Sequence, residues 1–381
     1  MHINIGDYLR TGINQITVRA ADSNSWQQPR GKQEGTTRWP IDYDPVIGIW
    51  QSVWLEPINK RHLLNIGSHY AMDERILHLT CEISEALTGQ VRATLKIKGT
   101  THCTTQTEAQ SRSEVRLTLF IDEPILWSPE SPHLYDLELE LVDENGNVID
   151  RAESHAGLRQ LTITGGKHCL NGEPLYLRGI LDQGYFPEGW YSPADDHALR
   201  QDIELTKAMG FNFVRKHQKA EDPRYLYWAD KLGLLVWAEM PSGRIFSTDL
   251  VTALSTQWLD LVRRDRGHPC VIGWVPFNES WGVWHIQQRP EQRALVDALV
   301  QLTKALDTSR PVIGNDGWEY SSGDLWTLHL YYDAQRTLDE RLAALLADPT
   351  QPVTQGDRPR NGALSGSDPS HLPVLLTECG G

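Results

Sequence analysis

Two glutamates in the C-terminal part of the sequence each follow an apolar run with the length of a buried strand. Glu279 closes the segment 271–279, and Glu378 closes the run that begins at Val374. A carboxylate at the end of a buried strand needs a charged partner or a shifted pKa, because burying an isolated charge is costly. Two facing carboxylates can divide the chemistry, one protonated to act as an acid and the other ionised to attack.

Polar residues close the neighbouring apolar runs in the same way. If these runs are strands of a parallel βα barrel, their carboxyl ends meet at one mouth, where such barrels place their reacting groups. In chain order, the closing residues are Asp182, Arg215, His217, Glu239, Asn278, Glu279, Asp316, His329, Tyr331 and Glu378. Each of them alone could be a satisfied ion pair, but together they predict a site. Glu279 with Glu378 is the leading pair, and Glu239 with Glu279 is the alternative.

Hydrophobic periodicity predicts the elements that must position these side chains. After residue 165, apolar runs alternate with amphipathic helical stretches, the pattern of βα units on a parallel sheet. Asp222-Pro223 and Ser192-Pro193 each predict a helix start, and Gly233 and Gly210 predict the corresponding ends. The seven predicted strands are 175–180, 211–217, 234–240, 271–279, 311–316, 325–331 and 374–379.

The first 160 residues show a different pattern, in which short segments alternate apolar and polar side chains with period 2. The clearest are 15–19, 48–56, 91–98, 114–119 and 134–141. A break follows Glu56-Pro57, so residues 59–160 have the length of one β-sandwich of about 100 residues. Residues 1–58 are too few for a sandwich of their own.

Composition excludes several classes of protein. The chain has 381 residues, with 50 acidic and 36 basic side chains and a net charge of −14, which argues against binding nucleic acid. Five cysteines lack metal-ligand or disulfide-framework spacing, as expected in a reducing compartment. The start lacks the pattern of a secretory signal, and no run approaches the roughly 18 apolar residues of a membrane span. A cytoplasmic protein without a membrane partner is therefore expected.

Five motifs resemble glycoside hydrolase family 2, which includes β-galactosidases, β-glucuronidases and β-mannosidases. They are Gly-Ile-Trp-Gln-Ser-Val-Trp-Leu-Glu at 48–56, Arg-Gly at 178–179, Phe-Asn-Phe-Val-Arg-Lys-His at 211–217, His-Pro-Cys-Val-Ile-Gly-Trp at 268–274 with Asn-Glu-Ser at 278–280, and Thr-Glu-Cys-Gly-Gly at 377–381. They occur in the family's order. The resemblance implies a multidomain β then α/β chain. Residues 1–58 would be the C-terminal part of a jelly-roll sugar-binding domain, 59–160 an immunoglobulin-like sandwich, and 161–381 a (β/α)8 TIM barrel lacking its last strand.

The same resemblance implies roles for individual residues. Glu279 would be the acid/base and Glu378 the nucleophile. Asn278 would donate to the sugar 2-hydroxyl, Arg215 would support the nucleophile, and Tyr331 would touch it. Further candidates for substrate binding are His217, His329, Asp182 and Trp281.

The implied activity is that of a retaining exo-β-glycosidase on a terminal β-linked hexose. A β-galactoside is the first choice, and β-glucuronide and β-mannoside specificity stay open. The substrate is a small carbohydrate or glycoside, association into a homo-oligomer stays open, and no cofactor is expected. No metal is predicted, because the family's magnesium-holding cluster is not evident after Glu239. The alternative is a truncated or decayed member that binds carbohydrate with little or no turnover, because no eighth barrel strand is predicted.

Overall fold

The computed structural model describes residues 3–23, 25–33, 41–332, 335–354 and 359–379. Within its described parts, the stretch before residue 63 holds one short 3₁₀ helix, Gly6–Tyr8, and no strand. The predictions of strands at 15–19 and 48–56 are therefore wrong for this structure, because no neighbouring strand pairs with the backbone groups of these segments. Their exposed apolar side chains include Ile16, Val18, Ile49, Val53, Trp54 and Leu55. The assignment of residues 1–58 to a jelly roll stays a prediction.

A seven-stranded β-sandwich follows. Its strands are β1 Leu63–Ala71, β2 Ile76–Leu87, β3 Gly89–Ile97, β4 Thr100–Glu108, β5 Arg112–Phe120, β6 Tyr135–Asp143 and β7 Val148–Ala156. They form two antiparallel sheets, with the orders β1-β2-β5 and β4-β3-β6-β7. The alternating apolar side chains of both sheets, such as Leu117 and Leu139, meet in one buried core.

A small antiparallel sheet of β8 Leu161–Thr164, β9 Lys167–Leu170 and β10 Glu173–Pro174 leads into the α/β part. The strands there are β11 Gly179–Asp182, β12 Phe213–Lys216, β13 Leu235–Glu239, β14 Val271–Val275, β15 Trp326–His329 and β16 Val374–Glu378. The helices are α1 Asp196–Ala208, α2 Pro223–Leu232, α3 Thr248–Asp265, α4 Pro290–Leu306 and α5 Gln335–Ala347.

The α/β part is a partial barrel. Strands β11 to β14 pair in parallel in chain order, and β15 pairs in parallel with β16. The predicted fifth strand, 311–316, joins the sheet only through isolated bridges from Val312 to Trp274 and from Asp316 to Asn278. Its other edge pairs with the loop at Gly323 instead of a strand, and Pro311 removes one backbone donor. The segment therefore holds the place of a strand without a continuous ladder.

Two helix starts show that local capping residues and distant contacts both determine where a helix begins. Helix α2 begins at Pro223 as predicted, its N-cap Asp222 accepts from the Arg224 amide at 2.9 Å, and it ends at Gly233 with φ of 74°. Helix α1 begins three residues later than predicted, after Asp195, because the hydroxyl of Ser192 bonds the carbonyl of Trp50 instead of capping the helix.

The barrel has its own buried core, rich in tryptophan and aliphatic side chains from β12 to β14 and the helices around them. Trp127, which follows β5, joins this core and ties the sandwich to the barrel. Across the described part of the chain, every helix is too short or too polar to pass through a membrane.

Candidate active site

Arg215, on β12, is the centre of a buried ion network at the carboxyl ends of the barrel strands. Its Nε lies 2.6 Å from Glu239, and its Nη1 lies 2.6 Å from Asp316 and 2.8 Å from Glu378. Burial disfavours the charged guanidinium, but the three carboxylates outweigh it and raise the pKa of Arg215. The network therefore contains a permanent cation on β12, held by carboxylates from β13, β16 and the fifth strand position.

Glu378 ends β16 with both carboxylate oxygens bound. Oε1 accepts from Arg215 at 2.8 Å, and Oε2 accepts from the hydroxyl of Tyr331. Burial would raise the pKa of this carboxyl, but the charges of His329, Arg215 and His217 outweigh burial and lower it to about 2. Glu378 is therefore ionised at neutral pH, the state that a nucleophile requires.

Glu279 lies beyond β14 in an uncommon backbone conformation, with φ of 50°, and Ser280 follows with φ of 55°. The bonds that hold this turn include that of the Glu279 amide to the carbonyl of Asp316, at 2.9 Å, and that of the Ser280 amide to Asn315, at 2.9 Å. Left-handed non-glycine residues cluster at functional sites, where surrounding contacts maintain them. The turn leaves the carboxylate of Glu279 partly exposed at the barrel mouth.

Glu279 and Glu378 come together as the sequence predicts. One carboxylate oxygen of each, with a ring nitrogen of His329, lie within 4.8 Å of one another. The alternative partner, Glu239, is fully buried and bound to Arg215, His217 and the amide of Gln218. Glu239 therefore has no open face toward the mouth.

His329 lies beneath these carboxylates. Its Nδ1 is 2.8 Å from Glu279, and its Nε2 is 3.0 Å from Asp316 and 3.4 Å from Glu378. Burial lowers the pKa of His329, but the charges of Glu378 and Asp316 outweigh it and raise the pKa to about 10. Both ring nitrogens of this imidazolium face carboxylates, so neither is directed at a sugar hydroxyl.

Asn278 has an unsatisfied donor. Its side chain is fully buried, and its Oδ1 accepts from Arg215. In the part of the chain that the structure describes, its Nδ2 has no hydrogen-bond partner. A buried amide donor without a partner is costly, so this geometry suits a group supplied by a ligand, such as the predicted 2-hydroxyl.

Of the four remaining predicted residues, three lie at or beside the site and one does not. Tyr331 is 56% exposed at the mouth, and the Nδ1 of His217 lies 3.1 Å from Glu239. Trp281 is buried beneath two cations, with Arg244 3.6 Å and Lys32 5.1 Å from its ring centroid. Asp182 does not join the cluster, because its carboxylate binds Lys216 at 2.6 Å and the Gly184 amide at 2.7 Å.

A loop before the sandwich contributes a residue that the sequence reasoning missed. The amides of Arg30 and Gly31 donate to the carbonyl of Ser242 at 3.0 Å, which docks the loop against the barrel. Gly31 has φ of 63°, and a Cβ there would lie 2.2 Å from the carbonyl oxygen of Gln218, so only glycine fits.

The docked loop buries Lys32 near the carboxylates of Glu279 and Glu378. Burial lowers its pKa, and the charges of Glu378, Asp42 and Glu279 oppose this without reversing it. The only signal in the sequence was a Gly-Lys pair after Pro-Arg in an acidic chain, with no periodicity to place it.

Comparisons with known proteins agree with this fold. Residues 65–159 match the model of Glycosyl hydrolases family 2, and residues 161–359 match that of Glycosyl hydrolases family 2, TIM barrel domain. A β-galactosidase of Vibrio cholerae is 36% identical over 205 residues, which are 51% of this chain and 19% of that protein. A putative β-glucuronidase of Formosa agariphila is 27% identical over 320 residues, 81% of this chain and 38% of that protein.

A solved structure supports the fold independently. The β-glucuronidase of Ruminococcus gnavus in complex with uronic deoxynojirimycin superposes with a TM-score of 0.68 at 20% identity. The match covers 84% of this chain and 54% of that one. The chain spans 19% to 38% of the length of the curated relatives it matches. With both family models matched in sequence order, the chain belongs to glycosyl hydrolase family 2.

Proposed function

We propose that this chain carries the catalytic site of a retaining β-glycosidase, with Glu378 as nucleophile and Glu279 as acid/base. The observation that carries the proposal is the close approach of the two carboxylates, one oxygen of each lying within 4.8 Å of the other. Retaining enzymes hold the pair about 5–5.5 Å apart, whereas inverting enzymes leave about 6.5–9.5 Å for a water molecule.

The proposed reaction has two displacements. Glu378 attacks the anomeric carbon, and the bond to the leaving oxygen breaks as Glu279 gives that oxygen its proton. A covalent glycosyl ester on Glu378 results. Glu279, now ionised, then takes a proton from water, which attacks the same carbon and releases the sugar and Glu378. Arg215 and Tyr331 hold the nucleophile ionised and oriented, and the Nδ2 of Asn278 is available to the 2-hydroxyl.

Substitution of the two glutamates tests the roles. In Glu378→Gln we expect kcat on nitrophenyl β-glycosides to fall by at least about 10⁴-fold, because the nucleophile is removed. In Glu279→Ala we expect turnover only with good leaving groups, and partial rescue by azide, which can attack the glycosyl ester without a general base.

Glu291→Gln, at the exposed start of α4, is the matched control and should retain full activity. Normal turnover by Glu378→Gln would contradict the assignment. A folded wild-type chain that is inactive on every nitrophenyl β-glycoside would instead support the decayed, carbohydrate-binding alternative.

A β-galactoside is the first substrate to test, and Lys32 favours a second candidate, a β-glucuronide. Its ammonium is buried near Glu279 and Glu378, and in the described ranges it has no ion pair, so it could meet the carboxylate of a uronic acid. If so, Lys32→Met should lower kcat/KM for nitrophenyl β-glucuronide by about 10²-fold, since a charge-assisted hydrogen bond is lost. The value for the β-galactoside should change by less than threefold. Equal losses on both substrates would refute the glucuronide specificity and leave the glycosidase proposal intact.

A further inference from the structure

A second cluster of potential metal ligands lies where the sandwich meets the barrel. His155 is on β7 of the sandwich, Asp230 is on α2, and His268 is between α3 and β14. The Nε2 of His155 lies 2.7 Å and the Nδ1 of His268 lies 2.5 Å from the same oxygen, Oδ2 of Asp230. Because His268 precedes β14, the cluster is at the end of the barrel opposite the catalytic mouth.

We propose that His155, Asp230 and His268 bind one zinc-like divalent metal ion that links the sandwich to the barrel. Two imidazole nitrogens and one carboxylate oxygen lie within 4.8 Å of one another. Two histidines and a carboxylate, with water as fourth ligand, are an established zinc ligand set. The carboxylate is already oriented, because its other oxygen, Oδ1, accepts from the amide of Cys270 at 2.8 Å.

The site has room for an ion after a small adjustment. Tetrahedral zinc with bonds of about 2.0 Å separates its ligand atoms by about 3.3 Å. The two contacts to Oδ2, now 2.5 and 2.7 Å, must therefore open by less than about 1 Å. The His155 and His268 side chains are 19% and 17% exposed, so both rings border solvent, which supplies the water ligand. Each ring binds as neutral imidazole with its proton on the nitrogen away from the ion, and any imidazolium proton passes to water.

The surrounding contacts indicate what the ion would do. The indole of Trp127 donates to the carbonyl of Asp230 at 2.8 Å, and a Cβ at Gly157 would lie 2.7 Å from the side chain of Pro269. The two domains thus already touch on both sides of the cluster. One metal ligand from the sandwich and two from the barrel add a bond across this joint, which stabilises the folded state in proportion to metal binding.

Zinc titration of the whole chain, stripped of metal with a chelator, tests the proposal. We expect His155→Ala to bind one zinc fewer per chain than the wild type in calorimetry and metal analysis. The control His197→Ala, at an exposed position on α1, should bind as many as the wild type. Zinc taken up elsewhere, including at the catalytic carboxylates, is common to all three proteins and cancels in the difference. Equal zinc stoichiometry in the wild type and His155→Ala would overturn the proposal.

Two further measurements separate metal binding from a structural role of the hydrogen bonds. His155→Gln keeps a side-chain donor for Asp230 but removes the imidazole, so it should fold and still lose one zinc. Cobalt(II) should give the intense visible absorption of a tetrahedral site in the wild type and His197→Ala, and not in His155→Gln. Zinc should raise the unfolding temperature of the first two proteins only. Cobalt spectra and zinc-induced shifts that are the same in His155→Gln as in the wild type would contradict the assignment.

Discussion

Arg215 and Lys216 are adjacent buried cations on β12 that belong to different ion networks. Successive strand residues point to opposite faces, so one side chain enters the barrel interior and the other faces away from it. Arg215 binds Glu239, Asp316 and Glu378. Lys216 binds Asp182 at 2.6 Å and Glu221 at 2.7 Å.

The two networks differ in charge balance and in access. The network of Arg215 sets the three carboxylates of Glu239, Asp316 and Glu378 against two cations, Arg215 and His329, and Glu279, the proposed acid, borders it. The network of Lys216 sets two carboxylates against two cations, because Lys219 also binds Glu221 at 3.2 Å.

The two networks also differ in their access to solvent. The first network opens to the mouth at Glu279 and Tyr331, while the ring of Tyr225 covers Lys216, 4.2 Å from its Nζ. The charges of this closed network, whose cation Lys216 is covered, balance one another and stabilise the fold. Excess negative charge at the mouth can meet a substrate, whereas the carboxylate of Asp182 is already paired with Lys216 and its role in sugar binding stays a prediction.

The largest effect should come from the closed network. Lys216→Met leaves Asp182 without its ion-pair partner and Glu221 with Lys219 alone, and breaking a buried pair costs about 3–5 kcal/mol of unfolding free energy. Urea unfolding measures this loss. In the folded fraction, kcat should stay within threefold of the wild type. A loss of kcat without a loss of stability would break the division between the two networks.

The next effect should come from the open network. Arg215→Lys keeps the charge but cannot hold Glu239, Asp316 and Glu378 at once, since an ammonium lacks the planar fork of a guanidinium. We expect kcat to fall by about 10²–10³-fold, the size seen when a preorganised donor is removed from a reacting group. Steady-state kinetics beside a thermal melt tests this, and unchanged kcat would show that Arg215 is structural as Lys216 is.

The smallest effect should come from Tyr331, at the exposed side of the network of Arg215. Tyr331→Phe removes a donor to ionised Glu378, so the pKa of Glu378 should rise from about 2 toward its ordinary 4.5. A depressed carboxyl pKa stabilises the fold above pH 4.5, and this contribution is lost as the pH falls through about 2. The variant should therefore be about 1 kcal/mol less stable at pH 7.

The free energy of unfolding, measured at pH 7 and at the lowest pH that retains the fold, tests the direction of this pH dependence. The difference between wild type and Tyr331→Phe should shrink as the pH falls, and kcat should drop by about tenfold, the equivalent of one such hydrogen bond. A difference in stability that grows toward acid would contradict it.

The sequence by itself determined the features that depend on near neighbours. Six of the seven predicted barrel strands have a counterpart, although the first, predicted at 175–180, lies at Gly179–Asp182. Helix α2 starts and stops at Asp222-Pro223 and Gly233, because propensity and capping act over a few residues. The pairing of Glu279 with Glu378 was also predictable, since the carboxyl ends of parallel strands share one mouth.

The tertiary structure decided the partners of each charge. Asp182 and Glu378 both end apolar strands, and only the path of the chain assigns one to Lys216 and the other to Arg215. Lys32 lies near Glu279 and Glu378 because a distant loop docks on Ser242, and His155 meets Asp230 because two domains touch. Such contacts join residues far apart along the chain. No local pattern encodes them, because their free energy arises from burial and charge in the assembled fold.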